Sequence, residues 1–183
     1  MPPAVALIRL LLSLLFITAI SADQNVTVDD TFGDPITGEQ FVYKPASGGS
    51  IPAWNVGQDC PGCFAQPDPD QTYLHTWHDG TTGIMTPMSA SINFEGTALY
   101  VYCILVHSAV DSYFTTNTNL SFSIDGEVVG SFLDNSPVPA GSNSTYNYNV
   151  LVYSIDNLPH AQHSFTLTNG NLSLALLDKV VYT

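Results

Sequence analysis

Basic residues are almost missing from this sequence. Arg9, Lys44 and Lys179 are the only three cations, set against 16 acids in 183 residues. No patch can be assembled from them that would hold a phosphate backbone, so nucleic acid is excluded as a partner and an anionic membrane surface is a poor one. Charge of either sign is scarce: 10% charged with 45% hydrophobic is the balance of one ordinary globular domain and excludes a disordered chain or a coiled coil. Past the extreme N-terminus there is no long apolar run and no amphipathic helix longer than a turn or two. A strained Gly-x-Ser-x-Gly elbow is also absent. Acids such as Asp68, Asp70 and Glu95 could be paired on paper for glycoside hydrolysis, but acids on loops of an acidic protein are usually just solvated. No enzyme activity is expected.

What is present begins with compartment. Ala4 to Ile20 is apolar but for Arg9 and runs into the small-residue pattern Ala19-Ile20-Ser21-Ala22, which reads as a secretory signal peptide over residues 1–21. An uncleaved anchor is the alternative, because the run could approach the roughly 20 residues a span requires. Cleavage would remove Arg9, leave no membrane span and make the mature chain more acidic still, which favours a monomer or a cation-binding surface while leaving the oligomeric state open. Four acceptor sequons, at Asn25, Asn119, Asn143 and Asn171, agree with export and predict a glycoprotein. In an oxidising compartment Cys60-Pro61-Gly62-Cys63 closes a tight loop around its turn-forming centre. Cys103, within an apolar strand, is expected to be a buried free thiol.

Residues 22–183 read as one domain of strands and turns. Leu99 to Val106 is apolar on both alternating sets, as for a central strand covered on both faces. Leu120, Phe122 and Ile124 alternate with polar residues up to Asp125-Gly126, a hairpin turn leading into Val128 to Phe132. Val150 to Ser154 forms another strand. Phe165 and Leu167 precede Asn169-Gly170, a strong hairpin signal, and Leu172, Leu174 and Leu176 alternate after it. Short strands, closely spaced turns and no crossover helices predict an antiparallel β-sandwich of jelly-roll type. Residues 34–88 differ: they carry Pro, Gly, Asp and isolated aromatics, a long irregular segment of the kind that is usually functional.

Several pieces are shared, in order, with a known group. Val28-Asp29-Asp30-Thr31, Gly96-Thr97-Ala98-Leu99-Tyr100-Val101-Tyr102, Phe122-Ser123-Ile124-Asp125-Gly126, His163-Ser164-Phe165-Thr166-Leu167 and Leu177-Asp178-Lys179-Val180-Val181-Tyr182 span nearly the whole mature chain. In these the sequence resembles secreted or membrane-tethered proteins of basidiomycete fungi that have a galactose-binding-like jelly roll. The resemblance implies that fold. It does not supply an activity, since such sandwiches serve as sugar-binding modules, as adhesion domains and as packing modules beside enzymes.

The candidate site is therefore argued from residues. Tyr73-Leu74-His75-Thr76-Trp77-His78-Asp79-Gly80 combines aromatic faces with side chains able to hydrogen-bond sugar hydroxyls. Trp77 or Trp54 would be the platform, with Tyr73 beside it and His78 and Asp79 as polar contacts. Alternation along a strand puts Tyr73, His75 and Trp77 on one face, an arrangement equally suited to core packing. His75 and His78 would then point to opposite faces, which disfavours zinc. A structural calcium ion is the one cofactor the acids suggest: Asp29 and Asp30 near the first strand and Asp178 in the last could share it, or could merely cap turns. The partner expected is a neutral glycan or cell-wall polysaccharide, bound weakly. A structural or interaction glycoprotein of the fungal cell surface or wall, with no small ligand, is the other reading.

Overall fold

The computed structural model describes residues 24–45, 53–83, 87–108, 115–135, 138 and 141–183. The expected signal peptide and its cleavage point lie outside the described residues. Among the described residues eleven strands follow in chain order: β1 (Val26–Asp29), β2 (Val42–Lys44), β3 (Trp54–Val56), β4 (His78–Thr81), β5 (Met88–Gly96), β6 (Leu99–His107), β7 (Thr118–Ile124), β8 (Glu127–Asp134), β9 (Thr145–Ile155), β10 (Ala161–Asn169) and β11 (Leu174–Tyr182). They form the expected antiparallel sandwich. A five-stranded sheet has the order β2-β5-β10-β7-β8, and a six-stranded sheet has the order β3-β4-β11-β6-β9 with β1 also on β11. Among the described residues no helix is long and apolar enough to cross a membrane.

The inward residues follow from the period of two. Ala90, Ile92 and Phe94 of β5, Phe165 and Leu167 of β10, and Leu120 and Phe122 of β7 meet Leu99, Val101, Cys103 and Leu105 of β6 and Ala175, Leu177 and Val180 of β11 in the main core. Each alternates with a partner facing the other way. In the five-stranded sheet those partners are polar, with Asn93, Glu95 and Ser164 exposed and Ser91, Thr166, Ser121 and Ser123 half-buried, whereas Ile104 and Val106 of β6 and Leu174 and Leu176 of β11 are buried in a second cluster. That cluster is completed by Ala65 and Trp77 from the 57–77 segment, which lies over the outer face of the six-stranded sheet. A strand apolar on both sets thus has both faces covered, as its sequence requires.

The described residues of the segment 34–88 are less irregular than its composition suggests, containing three short strands and three 3-10 turns, at Gly57–Asp59, Pro69–Gln71 and Tyr73–His75. Asp125 and Gly126 take positive φ, 53° and 84°, and β7 and β8 pair across them as expected. Asn169-Gly170 does not make a hairpin. β10 pairs with β5 and β7 in one sheet, while β11 pairs with β1, β4 and β6 in the other, so the chain changes sheets there. Buried Asn169 donates through Nδ2 to Gly80 O at 2.7 Å and ties the two sheets together. Leu172 is correspondingly exposed in the turn, while Leu174 to Leu177 are buried on both faces of β11. Cys60 and Cys63 form a disulfide, and Cys103 is free and buried, with burial pushing its thiol far above the usual range.

Candidate functional site

The first and last strands lie side by side, with Asp29 opposite Lys179. On that edge β11 is paired by β4 over Leu174–Leu177 and by β1 over Lys179–Tyr182, so Asp178 falls at the gap between them, where the register with β6 also shifts. The gap lets a buried carboxylate reach out of the ladder. Tyr73 N–H donates to Asp178 Oδ1 at 2.8 Å. Three residues on, Thr76 Oγ1 lies 3.1 and 3.0 Å from the two oxygens of Asp29 and 2.8 Å from Asp30 Oδ1. The acids expected to hold calcium therefore grip the two ends of Tyr73–Thr76.

Between those grips Leu74 and His75 both adopt left-handed backbone, φ 50° and 66°, at a cost of about 1–2 kcal/mol each. This corrects the strand assigned to 73–77. In the 3-10 turn His75 does not share a face with Trp77; it points to solvent beside Pro69 O and Asp70. His78 is held elsewhere, its Nδ1 2.6 Å from Asp30 Oδ2 and its ring stacked on Tyr43 at 3.8 Å. Tyr43 OH in turn donates to Asp30 O at 2.7 Å. Burial raises the Asp30 pKa to about 6, with the His78 contact opposing the shift. Asp178 is raised by burial too, against the Tyr73 N–H and nearby Lys179. A His–Asp pair beside a hydroxyl can in principle move protons. Here the pair is almost wholly buried and its partners are the protein's own Thr31, Tyr43 and Thr76.

The acids expected to hold calcium are engaged by the protein itself. Asp29 Oδ1 also accepts from the N–H groups of Thr31 and Phe32, at 2.9 and 2.7 Å, so the acids already face protein donors. No group of three or more His, Cys, Asp or Glu side chains that could hold a metal ion forms among the described residues.

Both expected platforms are inside the protein. Trp54 is 1% exposed, packed in the main core against Gly80 and near Tyr43, and Trp77 is 2% exposed in the second cluster, its indole against Gly57. Asp79 is buried as well, with Thr81 Oγ1 a weak donor at 3.4 Å, and burial raises its pKa to about 6. Tyr73 is half-buried, with Lys179 Nζ 5.3 Å from its ring centre. These residues form no open surface.

The open aromatic is one the sequence reasoning passed over. Phe32 is 60% exposed, and it is the exposed aromatic ring among the described residues. Asp29 fixes its turn through the two N–H groups just named, and Gln40 Nε2 donates to its carbonyl at 2.8 Å. The residue before Gln40 walls a cleft of about 140 Å³ lined by Thr37, Glu39, Asn93, Phe94, Glu95 and Gln162. Asn93 Nδ2 donates to Glu39 Oε1 at 2.9 Å and Gln162 Nε2 to Glu95 Oε2 at 3.3 Å. One loop, 32–40, therefore presents an exposed ring and one wall of a polar cleft. The alternation of β5 carried part of this signal, since Asn93 and Glu95 are its outward residues; nothing local marked Phe32 as exposed.

The sequon asparagines Asn25, Asn119, Asn143 and Asn171 are all exposed. Asn119 and Asn171 belong to one end of the sandwich, where Gly170 N–H donates to Asn119 O.

No protein-family model and no characterised protein sequence matches the chain. Solved structures resemble it distantly. An exo-β-1,3-galactanase from Phanerochaete chrysosporium with β-1,3-galactotriose is 17% identical, covering 88% of this chain and 30% of that one, at TM-score 0.42. TmCBM61 in complex with β-1,4-galactotriose is 11% identical, covering 78% and 87%, at TM-score 0.35. The enzymatically active domain of bacteriophage CBA120 tailspike protein 4 is 7% identical, covering 87% and 19%, at TM-score 0.36. The chain thus spans under a third of the galactanase and tailspike structures. At such scores the likeness carries no argument about activity or residues.

Proposed function

We propose that this chain is a secreted, non-enzymatic glycoprotein domain that binds neutral glycans weakly, with Phe32 as the stacking ring and Thr37, Asn93 and Gln162 as hydrogen-bonding groups. The observation that carries the reading is the pairing of one exposed aromatic with a polar cleft on a single loop anchored by Asp29. An apolar ring face and amides able to both donate and accept are what a pyranose requires. Neutral ligands follow from charge: Glu39 and Glu95 flank the cleft and the chain has 16 acids, so anionic polymers are repelled. Weak binding follows from size, because one ring and a few exposed hydrogen bonds leave little after the lost freedom of the sugar. Useful avidity would come from multivalent display.

The test is a neutral-glycan panel that includes β-1,3- and β-1,4-galactotriose, the sugars named with the structures above, titrated into wild type and Phe32→Ala. A dissociation constant near 1 mM, about −4 kcal/mol, is expected for wild type, weakened about tenfold by Phe32→Ala with the melting temperature unchanged. If no glycan binds, the domain is instead a structural or interaction glycoprotein of the cell surface or wall. Burial of both tryptophans favours that second reading.

A further inference from the structure

The outer face of the five-stranded sheet continues from the cleft. Along β5 the outward residues are Glu95, Asn93, Ser91 and Ser89. Register places them beside Gln162, Ser164, Thr166 and Thr168 of β10, with Ser123 and Ser121 of β7 beyond. Ser91 Oγ and Thr166 Oγ1 already meet at 3.0 Å. Within this row Glu95 alone is charged, in a chain of 16 acids, and none of these side chains is apolar. Protein interfaces center on aromatic and aliphatic anchors; the β5–β10 pairs carry none, and the exposed aliphatics Val42 and Val128 stand on the flanking strands β2 and β8, beside Ser91 and Ser123, with Lys44 beside Ser89. Hydroxyls and amides that donate and accept equally match a neutral polyhydroxyl ligand.

Resting on the glycan-binding reading, we propose that the site takes an internal stretch of a linear neutral polysaccharide, laid along the β5–β10 seam, and not a single terminal sugar. From Glu95 to Ser89 the seam runs roughly 20 Å at about 3.4 Å per strand residue, the length of about four pyranose rings. The cleft beside Glu39 holds one end of that stretch. Ser91 and Thr166 lie under its middle, and the hydroxyls of Ser89 and Thr168 meet its far end.

The experiment titrates β-1,3-linked galacto- and gluco-oligosaccharides of one to six residues into the glycosylated mature protein. Affinity is expected to rise at least tenfold from one residue to four and then to level off. The double variant Ser91→Ala/Thr166→Val, checked for an unchanged melting temperature, should weaken tetrasaccharide binding about tenfold and flatten the length dependence. Binding with no length dependence in wild type overturns this proposal and leaves the glycan-binding reading standing. Binding of no sugar at any length overturns that reading and the proposal with it. A length dependence unchanged in Ser91→Ala/Thr166→Val overturns the proposal by showing that the sugar chain lies elsewhere.

Discussion

The two outer faces of the sandwich begin from the same alternation and end differently. On the five-stranded sheet the outward residues are polar, with Asn93 exposed and Ser91, Thr166 and Ser123 half-buried. On the six-stranded sheet Ile104, Val106, Leu174 and Leu176 are roofed by Ala65 and Trp77. The roof is held at several points. Gln66 N–H donates to Tyr146 OH and Asp68 N–H to Tyr148 OH, each at 2.8 Å, from the far strand β9. Gln66 Nε2 bridges the carbonyls of Cys60 and Cys63, and Asp178, Asp29 and Asp30 secure its C-terminal end. Aromatics in a loop-rich segment can therefore be roofing, and among the described residues the outer face of the five-stranded sheet carries no such cluster.

The contrast is broken most severely at Trp77. Trp77→Ala should destabilise the protein by about 3–5 kcal/mol, and chemical denaturation would measure it. A loss under about 1 kcal/mol would mean that Trp77 does not hold the roof.

The roofed side and its edge also bury the acids, so they should set the pH response. Asp30 and Asp79 have folded-state pKa values raised to about 6, and Asp178 is raised in the same direction. The folded state then holds protons that the unfolded chain releases, and stability falls as pH rises through the folded values. His163 adds to this trend: Asp125 and the Pro159 carbonyl face its two ring nitrogens and raise its pKa, so its contribution is also lost on going alkaline. Asp34, held low by donors from Ile36, Thr37 and Tyr182, acts oppositely only in strong acid. A melting temperature about 3–8 °C higher at about pH 5 than at about pH 8 is expected from calorimetry. The reverse slope would contradict the burial of these carboxylates.

Smaller perturbations sharpen the comparison. Gly57→Ala would place a Cβ 1.9 Å from Trp77 Nε1 and should cost about 1–3 kcal/mol through displacement of the indole. The Cys60–Cys63 bridge closes so short a loop that removing it should cost no more than about 2 kcal/mol of chain entropy, and the loss should appear as faster amide exchange in residues 57–66. On the bare face, Thr166→Val should change stability by no more than about 0.5 kcal/mol. Equal costs on the two faces would erase the distinction drawn here.

Much of the architecture is local information. Strands with one polar face announce a half-buried sheet, the doubly apolar run at Leu99 to Val106 announces cover on both sides, and Cys60-Pro61-Gly62-Cys63 closes on itself. The exposure of Phe32, the burial of Trp54 and Trp77, and the change of sheet at Asn169-Gly170 are not local. A turn dipeptide specifies backbone curvature but not which strand the next segment will pair with, and an aromatic residue reads alike whether it roofs a sheet or faces water. Asp29, Asp30 and Asp178 show the same division. Their charge was legible in the sequence, but only the meeting of the first and last strands brought them, through Thr76 and Tyr73, to a loop more than 40 residues from Asp29 in the chain. Long-range pairing decides which side chains are left without a neighbour, and here it left Phe32 and the β5–β10 seam open.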